Sequence, residues 1–153
     1  MIEFFVPGEI KPKGNSKNIV RSKSGQTFLV EPAANTANAN ALRVLFAQYA
    51  PPKPLEGPVR VTYQIRYAWR KGDSKKRRAL EMVPKDTAPD LGNLEKQLDD
   101  ALQAAGFLVN DSQIVCRGDV FDGELTQLRH GKVLCDAPGV LVRIEEWKNG
   151  ALL

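Results

Sequence analysis

The sequence predicts an α/β (α+β) fold, as a single domain over residues 1–153, with a mixed sheet of about four or five strands and two main helices. Residues 59 to 67 alternate between apolar and polar side chains, which is typical of a half-buried strand. In residues 91 to 105 the apolar side chains fall within roughly 100 degrees of a helix, and Gly106 follows as a C-terminal stop. A chain of 153 residues that is 42% hydrophobic is long enough for one core.

Shorter elements complete this prediction. Before residue 59 we expect an opening strand at residues 2 to 6 and a basic loop or loose hairpin at 11 to 25. A second strand at 26 to 30 and a first helix at 33 to 49 should follow. An exposed basic segment at 70 to 85 follows the clear strand. After the second helix we expect a strand at residues 113 to 121, an irregular or hairpin connection at 122 to 139, and a last strand at 140 to 147.

Charge and cysteine content narrow the class of protein. A net charge of +4 and a pI near 9.1 favour polyanionic partners, although only modestly. Cys116 and Cys135 fit neither a C-x-x-C metal site nor a disulfide framework, so we expect two buried thiols in a reducing compartment. No stretch approaches the ~20 apolar residues that span a bilayer, and the N-terminus lacks the pattern of an export signal. We therefore expect a cytoplasmic protein with no membrane partner.

A candidate site lies around the second helix. Its face away from the apolar arc is polar, with Gly92, Lys96, Asp99 and Gln103. Asp90 precedes the helix and Asp111 follows it by a short turn, so the two carboxylates are expected to converge beside Lys96. Such oxygen ligands suit Mg²⁺ or Mn²⁺, which activate water and neutralise a phosphodiester, and a lysine can stabilise the transition state.

Each of these residues also has an ordinary structural role. Asp90 is well placed to be a helix N-cap, which is the commoner role for such a residue. Asp111 lies in an Asn-Asp-Ser sequence that favours a turn, and Lys96 is of the type that covers solvated helix faces. The residues by themselves leave these alternatives open.

A longer pattern extends from the start of the second helix to the turn after it. Positions 89 to 96 read PDLGNLEK, 98 to 102 read LDDAL, and 110 to 115 read NDSQIV. This pattern resembles the signature of the RusA family of Holliday junction resolvases. The family pattern is P-D-x-D-N-L-x-K, then L-D-A-L, then D-D-x-Q-V, in the same order and spacing. The resemblance implies a RusA-like fold and a crossover junction endodeoxyribonuclease of phage or prophage origin, acting in DNA recombination and repair. It implies that Asp90 and Asp111 bind Mg²⁺, with Mn²⁺ as substitute, that Lys96 is catalytic, and that Asn93 and Asp100 support the site.

The chain departs from the pattern at two positions. Gly92 stands where the family has its second aspartate, and Asn110 replaces an acidic residue. Losing a carboxylate removes a metal ligand and a negative charge. Three interpretations remain: Asp86, Glu95 or Asp99 substitutes, the site works weakly, or the protein binds branched DNA without cutting it.

Basic residues are expected to hold the DNA. The resemblance implies a homodimer, for which the strands flanking the second helix are candidate interface elements, bound to four-way or branched DNA. The expected contacts are Lys13, Asn15, Lys17, Lys75, Lys76, Arg77, Arg78 and Lys85, and binding should weaken with salt. His130 is expected to be a surface loop residue. Trp69 and Trp147 are expected in packing, with stacking on bases as the alternative.

Overall fold

A computed structural model of the protein describes residues 1–14, 18–31, 33–118 and 129–153. Its helices and strands, within these residues, are β1 (Ile2–Pro7), β2 (Asn18–Arg21), β3 (Thr27–Val30), α1 (Ala33–Ala47), β4 (Val59–Ala68), α2 (Lys75–Arg78), β5 (Met82–Pro84), α3 (Leu91–Ala104), β6 (Ile114–Arg117), β7 (Gly131–Cys135), β8 (Gly139–Lys148) and β9 (Ala151–Leu152).

The main sheet is mixed, as predicted, and has the order β1-β8-β4-β7-β5. Strand β4 is antiparallel to β8 and parallel to both β6 and β7, which follow one another along the same edge of β4. With β6 and β9 the sheet has seven strands within the described residues, so the prediction of four or five was too low. The additional strands are short, and β5 and β7 lie in segments that were predicted as an exposed basic segment and as an irregular or hairpin connection.

Strand β4 is buried on both faces, whereas its alternating sequence predicted one buried face. The apolar residues Val59, Val61, Tyr63 and Ile65 are fully buried, and the intervening Thr62 and Gln64 are nearly so. The alternating pattern therefore predicted the strand correctly, but it predicted one buried face where the structure has two. On the second face, Gln64 donates to the Met82 sulfur at 3.6 Å and accepts from Arg66 at 2.7 Å, so neighbouring side chains shield it.

Helices α1 and α3 contact each other and cover the apolar face of the sheet. On α3, Leu94, Leu98 and Leu102 are fully buried, each contributing about 1.5–3 kcal/mol. Phe4 packs against Phe107 at a ring-centroid distance of 5.2 Å, joining β1 to the residues after α3. The two main helices are as predicted, with α1 ending at Ala47, two residues early, while the predicted basic segment contains the short helix α2.

Strands β2 and β3 form a separate two-stranded antiparallel sheet, within the region predicted as a loose hairpin and a strand. Cys135 is buried, but Cys116 is exposed, so the expectation of two buried thiols was wrong for Cys116. No helix among the described residues is long and apolar enough to span a membrane.

Candidate active site on helix α3

Asp90 is the N-cap of α3, and its carboxylate accepts a hydrogen bond of 3.2 Å from the Gly92 amide. A negative charge at this position is favoured by the partial positive charge of the helix N-terminus. The side chain is exposed, so the structural role and a ligand role are compatible. Asn93 is also exposed, one turn into the helix.

Two lysines hold the loop that carries Asp90. The Lys85 ammonium donates to the Thr87 hydroxyl at 2.6 Å and to the Ala88 carbonyl, and the Lys132 ammonium donates to the carbonyls of Thr87 and Pro89 at 2.8 and 2.6 Å. Burial lowers the pKa of Lys85, as do the charges of Arg70 and Lys132. Lys132 was not predicted, because the only sequence signal is one charged residue in an otherwise apolar strand, 43 positions from Pro89.

Lys96 lies between two carboxylates. Its Nζ is 3.2 Å from Asp100 Oδ1, one turn further along α3, and 3.5 Å from Asp111 Oδ2. The hydrogen bond to Asp100 raises the pKa of Lys96, and Asp111 adds to the effect. Lys96 therefore stays cationic at neutral pH. Of the two carboxylates predicted to converge beside Lys96, Asp111 contacts it, whereas the described contact of the Asp90 carboxylate is with the Gly92 amide.

A short 3-10 helix (Asp111–Gln113) places Asp111. Its N-cap Asn110 and its last residue Gln113 form a reciprocal capping box. The Asp111 amide donates to Gln103 Oε1 at 3.3 Å, which ties the turn to the last part of α3. The asparagine that replaces an acidic residue at 110 thus has a local structural role.

Gly92 leaves open space beside Asp90. A β-carbon at position 92 would lie 3.7 and 3.8 Å from the two carboxylate oxygens of Asp90 and would meet no other described group within 4 Å. Lys96 follows one helical turn later on the same face. A carboxylate at position 92 would therefore stand next to Asp90, on the side of α3 that carries Lys96.

The neighbouring side of α3 carries a second set of charged residues, directed at the sheet. Asp99 is 7% exposed and accepts hydrogen bonds from the Tyr63 hydroxyl at 2.8 Å and from the Arg117 guanidinium at 3.1 and 2.5 Å. Burial raises the pKa of Tyr63, to which Asp99 adds, and the hydrogen bond to Asp99 raises the pKa of Arg117. Asp99 was predicted to lie with Lys96 on the polar face of the helix, and this was wrong. A helical wheel places a charged residue on the solvent side, because it contains no information about a buried partner from another element.

His130 belongs to the same buried set and is not the surface loop residue that was expected. Its Nδ1 accepts the Tyr63 amide at 3.0 Å, at the point along β4 between its pairings with β6 and β7. Because Nδ1 accepts, Nε2 carries the proton and donates to Glu95 at 2.6 Å. Glu95 also lies 3.8 Å from Arg117. Both Glu95 and Asp99 are thus engaged at the sheet, which disfavours them as substitutes for a carboxylate at position 92.

A family model described as endodeoxyribonuclease RusA matches residues 7–145. The chain belongs to the RusA family of endodeoxyribonucleases. The match includes α3, both lysines of the Asp90 loop and the Asp111 turn, and it confirms the family that the motif resembled. No curated protein matches the chain.

The donors of this RusA-family site suit a hard cation only in part. Asp90 and Asp111 offer carboxylate oxygens, and Mg²⁺ is commonly held by one or two carboxylates together with waters and substrate phosphates. Among the described residues, however, no group of three acidic, histidine or cysteine side chains is arranged to hold a metal. The fit therefore depends on oxygens that a bound phosphate supplies.

The residues expected to contact DNA differ in their surroundings. Lys75, Lys76, Arg77 and Arg78 make up the exposed helix α2, capped by Ser74. Lys13 pairs with Glu31 at 3.2 Å, and Lys85 holds the Asp90 loop as described. Asn15 and Lys17 lie outside the described residues. Trp69 donates to Asp136 at 2.8 Å, while Trp147 is about half exposed.

Proposed function

We propose that this RusA-family protein is a metal-dependent endonuclease that resolves Holliday junctions by paired symmetric nicks. The observation that carries the proposal is the position of Lys96, 3.5 Å from Asp111 on the exposed face of a helix that Asp90 begins. The chain belongs to a family of endodeoxyribonucleases, which act on phosphodiesters. The ammonium of Lys96 and the two carboxylates on an exposed face are suited to stabilise the reaction of such a group.

Lys96 would act as a fixed positive charge. Its raised pKa keeps the ammonium protonated, so it suits stabilisation of charge on the scissile phosphate and not the role of a general base. Asp100 holds the ammonium at 3.2 Å in addition to Asp111, which limits its rotamers. Asp100 is thus a positioning residue in this proposal.

Asp90 and Asp111 would hold Mg²⁺, or Mn²⁺ as a substitute. When bound, the cation supplies neutralisation of phosphate charge and a lowered pKa for the attacking water. Lys85 and Lys132 fix the backbone of the loop before Asp90, so that the carboxylate is presented in one position. A phosphate oxygen would complete the ligand set that Gly92 leaves short.

A homodimer would place two such sites on one junction. A four-way junction is cut at two symmetry-related strands, and two-fold symmetry provides two matching sites. The exposed basic helix α2 would contact the phosphates of an arm, with an affinity that falls with salt.

Binding without cutting is the rival function, and Gly92 favours it. An aspartate at this position would adjoin Asp90, and its absence leaves two carboxylates where a third would fit. The rival predicts junction binding in any divalent cation with no nicks. The same absence is compatible with slow cutting, which is the function we propose.

A labelled four-way junction and a linear duplex of the same length separate these functions. The purified protein is incubated with each in Mg²⁺ and then Mn²⁺, and binding and nicking are followed together. The proposal expects paired symmetric nicks in the junction that Asp90→Asn abolishes. Tight junction binding with no nicks in either cation would establish the rival.

A further inference from the structure

The hairpin of β2 and β3, residues 18–30 and here called the arm, exposes large apolar side chains on both of its faces. Ile19 and Leu29 are opposite each other and are 73% and 69% exposed. Val20 and Phe28 form the adjacent pair, which points to the other face, and both are nearly half exposed. A two-stranded hairpin is marginally stable alone, and apolar surface exposed on this scale marks an interaction site.

The base of the arm is held firmly although its strands are exposed. The Gly14 amide donates to Asn35 Oδ1 and the Asn35 amide donates to the Gly14 carbonyl, both at 3.0 Å. Asn35 is buried on α1 and also donates to Glu31, which pairs with Lys13. Neither β2 nor β3 packs extensively on another described element. The described residues of the arm are therefore exposed, whereas its base is held on α1.

The segment that leads into this base, at Ile10 and Lys11, contacts β4 and α3. The Tyr67 hydroxyl donates to the Ile10 carbonyl at 3.3 Å, and Gln97 of α3 donates to the Lys11 carbonyl at 2.9 Å. The ammonium of Lys85, which holds the Asp90 loop, lies 5.2 Å from the centre of the Tyr67 ring. Burial, with the charge of Glu9, raises the pKa of Tyr67 to about 12, so its hydroxyl keeps donating at neutral pH. Contacts therefore run from the Asp90 loop, through Lys85 and Tyr67, to the segment that leads into the base of the arm.

The charge of this region identifies the class of partner. The arm and the segment that leads into it, residues 11–30, contain five lysines and arginines and no acidic residue, so the remainder of the chain carries a net charge of −1. Two of the five, Arg21 and Lys23, lie in the arm itself, and Lys13 is paired with Glu31. Two copies of such an arm would repel each other at a symmetric contact. A polyanion is attracted instead, and an apolar side chain among positive charges suits bases that can be separated from their stack.

We propose that the arm is a wedge, which inserts Phe28 and its apolar neighbours between bases at the branch point of a DNA junction. This inference rests on the proposed function and adds to it the element that recognises the branch. Bases at a branch point lack one continuous stack, whereas a linear duplex must be unstacked at a cost of a few kcal/mol per step. The wedge would therefore favour junctions over duplex, while the lysines contribute to both.

A fluorescent base tests the wedge directly. 2-Aminopurine is placed at the branch point of a four-way junction, and its emission rises when the base leaves its stack. We expect the wild-type protein and Phe28→Trp to raise the emission. We expect Phe28→Thr, which keeps strand propensity but removes the ring, to leave it low and to bind the junction about tenfold more weakly.

Duplex binding and a matched variant serve as controls. Phe28→Thr should bind linear duplex like the wild-type protein, because the basic residues are retained. Val44→Thr removes a similarly exposed apolar side chain from α1 and should leave the emission and both affinities unchanged.

Three results would overturn the wedge. In the first, Phe28→Thr gives the same emission and the same junction affinity as the wild-type protein, while junction nicking persists. This result would leave the proposed function intact. The second is a lower oligomeric mass of Phe28→Thr in sedimentation with equal losses on junction and duplex, which would assign the arm to a second copy. The third is a wild-type protein that binds neither DNA, which would refute the proposed function as well.

Discussion

Helix α3 carries charged residues on two sides, and these sides differ in burial and in the contacts of their charged groups. Towards the sheet, Asp99 is almost inaccessible and its oxygens are taken by Tyr63 and Arg117. Towards solvent, Asp100 and Lys96 are more than half exposed and their contacts are longer. A buried charge must be paired and stabilises one packing, whereas an exposed and loosely paired group remains available to a ligand. The comparison assigns stability to the first side and activity to the second.

The largest expected effect on activity comes from the exposed side. Lys96→Met should slow junction cutting by about 100-fold or more, because it removes a preorganised positive charge, as when an oxyanion donor is lost. Its unfolding midpoint should hardly change, since an exposed ion pair contributes little. Single-turnover cleavage and urea unfolding of the same preparation check both parts. Cutting at the wild-type rate would remove Lys96 from the site.

The reverse pattern is expected on the buried side. Arg117→Met leaves the Asp99 carboxylate buried with Tyr63 alone and should lower the free energy of unfolding by about 3–5 kcal/mol. Urea unfolding measures this, and Lys96→Met is the matched control on the other side of the helix. A loss of stability as small as that of the control would contradict the assignment of stability to the buried side.

Lys132 of β7 holds the loop before Asp90. Lys132→Met removes the donor to the carbonyls of Thr87 and Pro89, and a displaced Asp90 should slow cutting by about tenfold. Lys132→Arg retains donors and should recover part of the rate. Equal rates for Lys132→Met and the wild-type protein would show that the loop keeps its position without this lysine.

The smallest effect concerns pH and the pair of Arg60 with Glu145, which are 2.8 Å apart on the sheet. The hydrogen bond from Arg60 lowers the pKa of Glu145 below its ordinary value of 4.5. The pair therefore stabilises the fold above that pH, and this contribution is lost as the pH falls through the lowered pKa. Arg60→Met should cost about 1–3 kcal/mol at neutral pH and less at about pH 2. A pH-independent cost would contradict the assignment.

The sequence predicted the elements with strong periodicity and the local part of the site. Residues 59 to 67 and 91 to 105 became β4 and α3, and Asp111 meets Lys96 because a short turn joins them. Lys132 and His130 were missed as contributors, since each acts on residues far away along the chain. Asp99 was placed on the wrong side because its partner Arg117 comes from β6, which no helical pattern can reveal.

The space at Gly92 offers the most direct test of the central claim, that the exposed side of α3 is a nuclease site short of one carboxylate. Junction cutting by the wild-type protein and by Gly92→Asp is compared across a Mg²⁺ titration, and the unfolding temperature is followed in the same solutions. The added carboxylate would adjoin Asp90, so Gly92→Asp should cut at least about tenfold faster and gain stability with Mg²⁺ more than the wild type. Unchanged cutting and no additional Mg²⁺-dependent stability in a folded Gly92→Asp protein would contradict the claim.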